Sequence, residues 1–343
     1  MQSVTKNPEF ETEVLVVGAG PVGLALAGDL ACLIPEFLAR NHGQCRPRPN
    51  ARNAPSPGRV AVRLPVSAGS HRGRQRNPMY PLTYLRPASV AEASAFLLAH
   101  GDAKPLTGGM TLIPTLKQRL AAPSHLLDLS RLEELHSIGF EGGVLRIGAA
   151  TTHRVVAESP IVAAAIPALA VLAGQIADPQ VRNRGTMGGS LANNDPAADY
   201  PSGLLGLDGT VVTQHRRIAA DEFFDGMFQT VLEPGELIVA IEYPQPVRAS
   251  YVKYRHPSSG FAIVGVFIAE TPTEVRVAVT GAGPCVFRWA EAEAALGMRL
   301  SADSLDGLMP DLQTLLGDMH ASQERRAHLV GVIARRSLAA LLG

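Results

Sequence analysis

The sequence predicts an α+β protein whose patterned part begins near Met79. Three observations predict it. Stretches of helical period and stretches of strand period both occur beyond that residue. Two glycine-rich loops carrying hydroxyl residues interrupt them, at 107–111 and 185–190. The last hundred or so residues run from alternating apolar segments into a helical tail, so strands and helices are grouped rather than strictly interleaved.

Composition sets the limits. The chain has 343 residues, 46% hydrophobic and 18% charged, enough apolar material for two or three domains. Lys+Arg and Asp+Glu both number 31, so no net charge draws the chain toward nucleic acid or an anionic membrane. Neutral-surfaced proteins and small molecules are the expected partners. Cys32, Cys45 and Cys285 stand far apart without a C-x-x-C pair, which argues against a zinc site or an iron–sulfur cluster held by this chain alone. Sparse cysteines fit a reducing compartment, and the cytoplasm is the expected location. The apolar run from Val14 to Ile34 follows Glu9, Glu11 and Glu13 rather than a basic segment, and contains four glycines, Pro21 and Asp29. It therefore reads as neither an export signal nor an integral membrane segment.

Residues 1–39 form an orphan fragment. Val14 to Val17 make a short strand, Gly18-Ala19-Gly20-Pro21-Val22-Gly23 a turn, and a helical stretch follows, the opening of a dinucleotide-binding βα unit. This stretch, residues 13–31, resembles the start of FAD-dependent aromatic hydroxylases. No apolar second strand follows, and Glu36 sits beside Pro35 rather than at a strand end. Residues 40–78 are rich in Arg, Pro, Ser, Gly and Asn and read as a low-order linker, unable to bury enough apolar surface to offset ordering entropy. The hypothesis is that residues 1–78 are a fusion remnant. Deleting them should leave flavin content and melting temperature unchanged; a large loss of either would sink it.

Beyond Met79 each element has its signal. Ser89-Val90-Ala91-Glu92 is a capping box, with Ala93, Phe96 and Leu97 at helical spacing and a stop at Gly101. Leu106 closes a strand. Leu112 to Leu120 reads as a helix with Pro114 tolerated in its first turn. Val144 to Ile147 is a strand joined through Glu141-Gly142-Gly143 to the apolar stretch near Ile138. Residues 161–175 are an Ala-rich helix interrupted at Pro167. Ala262 to Ile268 and Val275 to Val279 are strands, and the chain from Trp289 onward is mostly helical.

The two glycine loops carry the chemistry. Thr107-Gly108-Gly109-Met110-Thr111 lies between a strand and a helix, where missing Cβ atoms and unpaired helix-start N–H groups suit a phosphate. Gly-Gly serves many tight turns, so this signal is weak alone. Residues 178–201 say more: Gly185, Gly188 and Gly189 surround Thr186 and Ser190 in a second nest of amides and hydroxyls, with Asp195 and Asp199 close behind. A carboxylate there suits a ribose or ribityl hydroxyl better than a diphosphate.

The run from Arg182 to Asp199, Arg-Asn-Arg-Gly-Thr-Met-Gly-Gly-Ser-Leu-Ala-Asn-Asn-Asp-Pro-Ala-Ala-Asp, is similar to the second FAD loop of carbon monoxide dehydrogenase medium subunits. The first loop resembles their Ala-Gly-Gly-x-Ser-Leu, with Thr107 for Ala and Thr111 for Ser. The resemblance continues through 232–236, 253–257, 277–282 and 328–332, so it covers 79–343 and excludes 1–78. It implies a PCMH-type FAD-binding domain of two mixed lobes over 79–246. A smaller C-terminal domain of antiparallel sheet and helix is implied over 247–343. It implies FAD as cofactor, cradled by Thr107, Gly108, Gly109, Met110 and Thr111 and by Thr186, Met187, Gly188, Gly189 and Ser190. Asp199 accepts from a flavin or ribose hydroxyl, Lys253 lies near the flavin ring, and Phe261 holds an aromatic position. Ile176 and Ile238 align with apolar positions against the isoalloxazine.

By the same resemblance the chain is an electron-transfer subunit, active only with a molybdopterin-binding large subunit and an iron–sulfur small subunit, as a dimer of heterotrimers. Neither catalytic acid–base residues nor metal ligands are assigned to it. Two rivals stand beside this reading: a flavin-free scaffold subunit, and an aromatic hydroxylase built from the N-terminal glycine motif. Other residues read as structural: Arg182 and Arg184 pairing with Asp178 or backbone carbonyls, Lys253 and Arg255 on a solvated strand face, His153, His256 and Trp289 as framework. The ten histidines show no metal-ligand spacing.

Overall fold

The structure, a computed structural model, describes residues 79–343. The βα fragment and the linker expected before Met79 lie outside the described residues. Three sheets follow one another along the chain. The first is parallel: β1 (Thr83–Leu85), β2 (Lys104–Leu106) and β3 (His125–Asp128) lie in the order β1-β3-β2. Helix α1 (Val90–Ala99) links β1 to β2, and α2 (Leu112–Lys117) links β2 to β3. Ser89 caps α1 by accepting from Glu92 N at 3.1 Å, a contact worth about 1 kcal/mol. The Glu92 carboxylate closes the box one residue early, on Ala88 N at 2.7 Å. Helix α2 stops short of Leu120 because Arg119 turns into the left-handed region, φ 63°.

The second sheet is antiparallel, in the order β4-β5-β8-β6-β7: β4 (Ile138–Glu141), β5 (Val144–Gly148), β6 (Thr210–Thr213), β7 (Arg217–Ala219) and β8 (Ile238–Pro244). Gly142 and Gly143 both take positive φ, which fixes the tight β4–β5 hairpin. Between β5 and β6 run six short helices: α3 (His153–Glu158), α4 (Pro160–Ala165), α5 (Pro167–Gly174), α6 (Pro179–Arg182), α7 (Met187–Asn193) and α8 (Tyr200–Gly206). The Ala-rich stretch is thus two helices, α4 and α5, broken before Pro167 as its ring requires. Helix α9 (Ala220–Phe223) follows β7.

The third sheet, β12-β11-β10-β9, is antiparallel: β9 (Arg248–Arg255), β10 (Ala262–Glu270), β11 (Val275–Thr280) and β12 (Phe287–Arg288). It is buried on both faces. Val264, Val266 and Ile268 join a core with α10 (Ala290–Met298) and α11 (Gln323–Leu342). Phe267, Ala269 and Ala278 face the other way, into the core of the second sheet with Leu169, Leu172 and Leu204. A strand with period-2 alternation between two apolar environments reads as a continuous apolar run. Burying Phe267 completely contributes roughly 1.5–3 kcal/mol and ties the third sheet to the helices carrying the second glycine loop. Among the described residues no helix is long and apolar enough to cross a membrane.

Candidate functional site

The two glycine loops lie against each other. Thr107 Oγ1 and Thr186 Oγ1 share a hydrogen bond of 2.8 Å. A Cβ on Gly108 would sit 2.1 Å from the carbonyl oxygen of Arg184, and one on Gly189 would sit 2.7 Å from Thr186 Oγ1. Gly108 and Gly188 are therefore required by close approach of protein to protein, Gly188 packing on Ala149 at 2.5 Å. The sequence reading had them making room for a phosphate.

The open donors are divided unevenly. At the start of α7, Gly188 N donates to Ala149 O at 2.8 Å, Met187 N to Thr151 O at 3.0 Å, and Gly189 N to Thr186 Oγ1 at 3.2 Å. The second loop has little left to offer an anion through these amides. In the first loop, the N–H groups of Gly108 through Leu112 take no acceptor among the described residues. Gly109 turns through φ +68° there, so successive amides line a concavity suited to negative charge. The loop that is weaker as a motif thus keeps the donors, and the stronger motif forms the floor beneath it.

From α7 the chain passes through Asn194, buried and left-handed at φ 42°, whose amide donates to Gly226 O and Gln229 O at 2.7 Å each. Asp195 accepts from Ala197 N at 2.9 Å; burial of its carboxyl, with the Asp199 charge nearby, pushes it up to about 6. Residues 196–198 are then fastened to the third sheet. Gly281 N donates to Pro196 O at 2.8 Å, and Thr280 Oγ1 to Ala198 O at 2.6 Å. Arg326 on α11 holds that corner by donating to Gly281 O and Ile263 O at 2.6 and 2.7 Å.

Asp199 comes to rest on β9. Its Oδ1 accepts from the Tyr251 hydroxyl and from Lys253 Nζ, the latter at 2.8 Å. The Lys253 side chain is only 1% exposed, so this lysine is an ion-pair partner and not part of a solvated strand face. Its ammonium also donates to Gly260 O at 2.9 Å. Burial pushes the Asp199 carboxyl above its usual range, against the pull of Lys253. Oδ2 of Asp199 takes no donor among the described residues.

Phe261 follows Gly260 in the β9–β10 turn, closed by His256 N on Phe261 O at 2.8 Å, and is half-buried. Gly260 packs on Ala177, the neighbour of half-buried Ile176. Arg182 fixes that turn through Ile176 O and Ala177 O at 2.8 and 3.1 Å, the structural role expected of it; Asp178 instead caps α6. Ile238 starts β8 inside the main core at 8% exposure, beside Val239, whose carbonyl holds Ala149 under the second loop. His153 is buried against Gly185 and Tyr200 and pushed down to about 3, first by burial and then by the Arg182 charge, so it is neutral framework. Met110, Thr111 and Ser190 are half-buried at the loops. A groove of about 590 Å³ between α1 and the edge of the second sheet, lined by Ser94, Leu98, Arg146 and Gln214, includes no residue of either loop.

Sequence reasoning missed Tyr251, Thr280, Arg326 and the Ala149–Thr151 turn. Only Tyr251 left a signal, standing two residues before Lys253 and so on the same strand face.

A family model described as the FAD binding domain in molybdopterin dehydrogenase matches residues 79–246. The carbon monoxide dehydrogenase medium chain of Hydrogenophaga pseudoflava is 34% identical over 276 residues, 74% of this chain and 95% of that protein. The nicotine 6-hydroxylase medium subunit of Paenarthrobacter nicotinovorans is 34% identical over 271 residues, 75% of this chain and 96% of that one. Among solved structures, the chain is similar to carbon monoxide dehydrogenase from Hydrogenophaga pseudoflava lacking the Mo-pyranopterin moiety of its molybdenum cofactor. There the TM-score is 0.69 at 34% identity, covering 77% of this chain and 98% of that one.

Proposed function

Because the chain belongs to the FAD-binding medium subunits of molybdenum hydroxylases of the carbon monoxide dehydrogenase and xanthine dehydrogenase kind, we propose that it is the flavin station of a three-subunit electron-transfer complex. It is an oxidoreductase subunit and its cofactor is FAD. The observation that carries the reading is the row of open amides at Gly108–Leu112, set beside the Thr186–Ser190 loop and ahead of the buried Asp199–Lys253 pair.

These residues fit the group. The 108–112 amides would hold the diphosphate, with Thr107 and the second loop fixing their position. Asp199 Oδ2 is an acceptor awaiting a hydroxyl donor. Lys253 places positive charge beside the cofactor, and Phe261 supplies an apolar wall. Bound FAD accepts electrons singly or in pairs, so the chain's own work is binding, orientation and charge. An iron–sulfur small subunit would deliver the electrons and a molybdopterin-binding large subunit would oxidise the substrate, the whole forming a dimer of heterotrimers. Three scattered cysteines and no acid–base pair fit this division of labour. Substrate choice then belongs to another chain, in keeping with relatives named for carbon monoxide and for nicotine. The domain division at 246/247 and the cytoplasmic location are parts of this reading.

The test is the visible spectrum of the purified full chain beside its Gly188→Asp, Gly189→Asp double variant. Stoichiometric flavin is expected, lost in the variant, since Gly188 has no room for a side chain against Ala149. A well-folded wild-type chain that stays colourless and takes up no added FAD would favour the flavin-free scaffold instead.

A further inference from the structure

The Asp199–Lys253 pair is buried, with side chains 3% and 1% exposed. Two charges taken out of water are costly unless their remaining hydrogen-bonding positions are met. Two such positions are open among the described residues. One is Asp199 Oδ2; the other is the third N–H of the Lys253 ammonium, which donates only to Asp199 and Gly260. Tyr251 decides that Oδ2 is the oxygen left open. Its hydroxyl donates to the same Oδ1 that Lys253 holds, so one oxygen is saturated and the other is kept clear.

The tyrosine is built into this place. It is 4% exposed, and its ring lies tilted against Phe267 with centroids 6.1 Å apart. Gly265 on the neighbouring strand makes room for the phenol: a Cβ there would stand 2.6 Å from its oxygen. A glycine weakens the middle of a strand, and here the space it opens is filled by the Tyr251 hydroxyl. Burial and the Asp199 charge both hold the phenol proton on, keeping it a donor. The carboxylate is braced from its own side too, because residues 196–198 are hydrogen-bonded to Thr280 and Gly281.

We infer that Tyr251 is a positioning residue of the cofactor site, holding Asp199 so that Oδ2 receives a sugar-type hydroxyl of FAD. This rests on the FAD reading and adds to it the residue that sets the acceptor's direction. The hydroxyl belongs either to the ribityl chain of the flavin half or to the ribose of the adenosine half, and the two can be separated.

The experiment is fluorescence titration of the full-length apoprotein with FAD, FMN and ADP, for wild type, Tyr251→Phe, Asp199→Asn and the double variant. Tyr251→Phe is expected to weaken FAD binding roughly tenfold, about the effect of one hydrogen bond to a charged group. The loss should fall on FMN alone if the hydroxyl is ribityl, or on ADP alone if it is ribose. In the Asp199→Asn background Tyr251→Phe should cost nothing further. Unchanged FAD affinity in Tyr251→Phe, equal weakening of both fragments, or a full extra loss in the Asp199→Asn background would each overturn the inference while wild-type binding upholds the FAD reading. A wild-type chain that binds no FAD would remove both. The fragment comparison needs only Tyr251→Phe and stands even where Asp199→Asn does not fold.

Discussion

Replacing Gly108 by alanine should weaken FAD binding about a hundredfold or more and destabilise the chain by about 1–3 kcal/mol. The single added carbon would lie 2.1 Å from Arg184 O, 2.8 Å from its carbonyl carbon and 2.9 Å from Gly185 Cα. All three are backbone atoms, so no flexible side chain can swing aside. One loop must move. If the first moves, the amides of 108–112 leave their common concavity. If the second moves, it strains the bonds from Met187 and Gly188 to Thr151 and Ala149. Either way the donors cease to converge, and losing one or two charge-assisted hydrogen bonds accounts for the expected factor. Gly101→Ala is the control: nothing lies within 4 Å of its added carbon, so stability should stay within about 0.5 kcal/mol and FAD affinity unchanged. Fluorescence titration and thermal melts read both quantities. A Gly108→Ala protein that binds FAD like wild type would mean that the loop contact does not shape the cradle.

The same contact explains what the sequence made legible. Residue types and spacing report where a backbone must be bare, and Gly108, Gly109, Gly188 and Gly189 are all such places. They do not report which amides are already engaged. That depends on Ala149 and Thr151, in a turn after β5 with no motif, reached only when β5 pairs with β8. Hence the richer motif became the floor and the poorer one the open nest. The periodic elements were readable for a different reason. The run Ala262–Ile268 is apolar because both faces of its sheet are covered, and the Gly142-Gly143 turn requires left-handed backbone twice. The end of α2 was not readable, since Arg119 takes a positive φ where glycine or asparagine would have announced it. Alternation along β9 placed Lys253 and Arg255 on one face but said nothing of what covers it. Asp199, more than fifty residues earlier, supplies the cover.

Lys253→Met should be the most destabilising conservative-volume change in the site, by about 3–5 kcal/mol near neutral pH, because it leaves a buried carboxylate with no cation. Tyr251 would be the only donor remaining to Asp199. The carboxyl, already pushed up by burial despite Lys253, would rise further. The sign of the pH dependence follows. A carboxyl whose folded pKa lies above its unfolded value contributes stability fully present below the unfolded value, near 3.9, and lost as pH rises through the folded one. The deficit of the variant against wild type should therefore be largest at alkaline pH and shrink as the pH falls through the raised value, a trend that melting curves at several pH values resolve. Adding Asp199→Asn to Lys253→Met removes the unpaired charge and should recover most of the lost stability, since a neutral pair of similar volume replaces a buried ion pair at little cost. FAD binding should not recover with it, because the acceptor at Oδ2 and the positive charge are both gone. That separation of stability from binding distinguishes a cofactor-facing ion pair from one that only joins β9 to the 195–199 segment. A double variant that regains both would assign the pair to the framework alone.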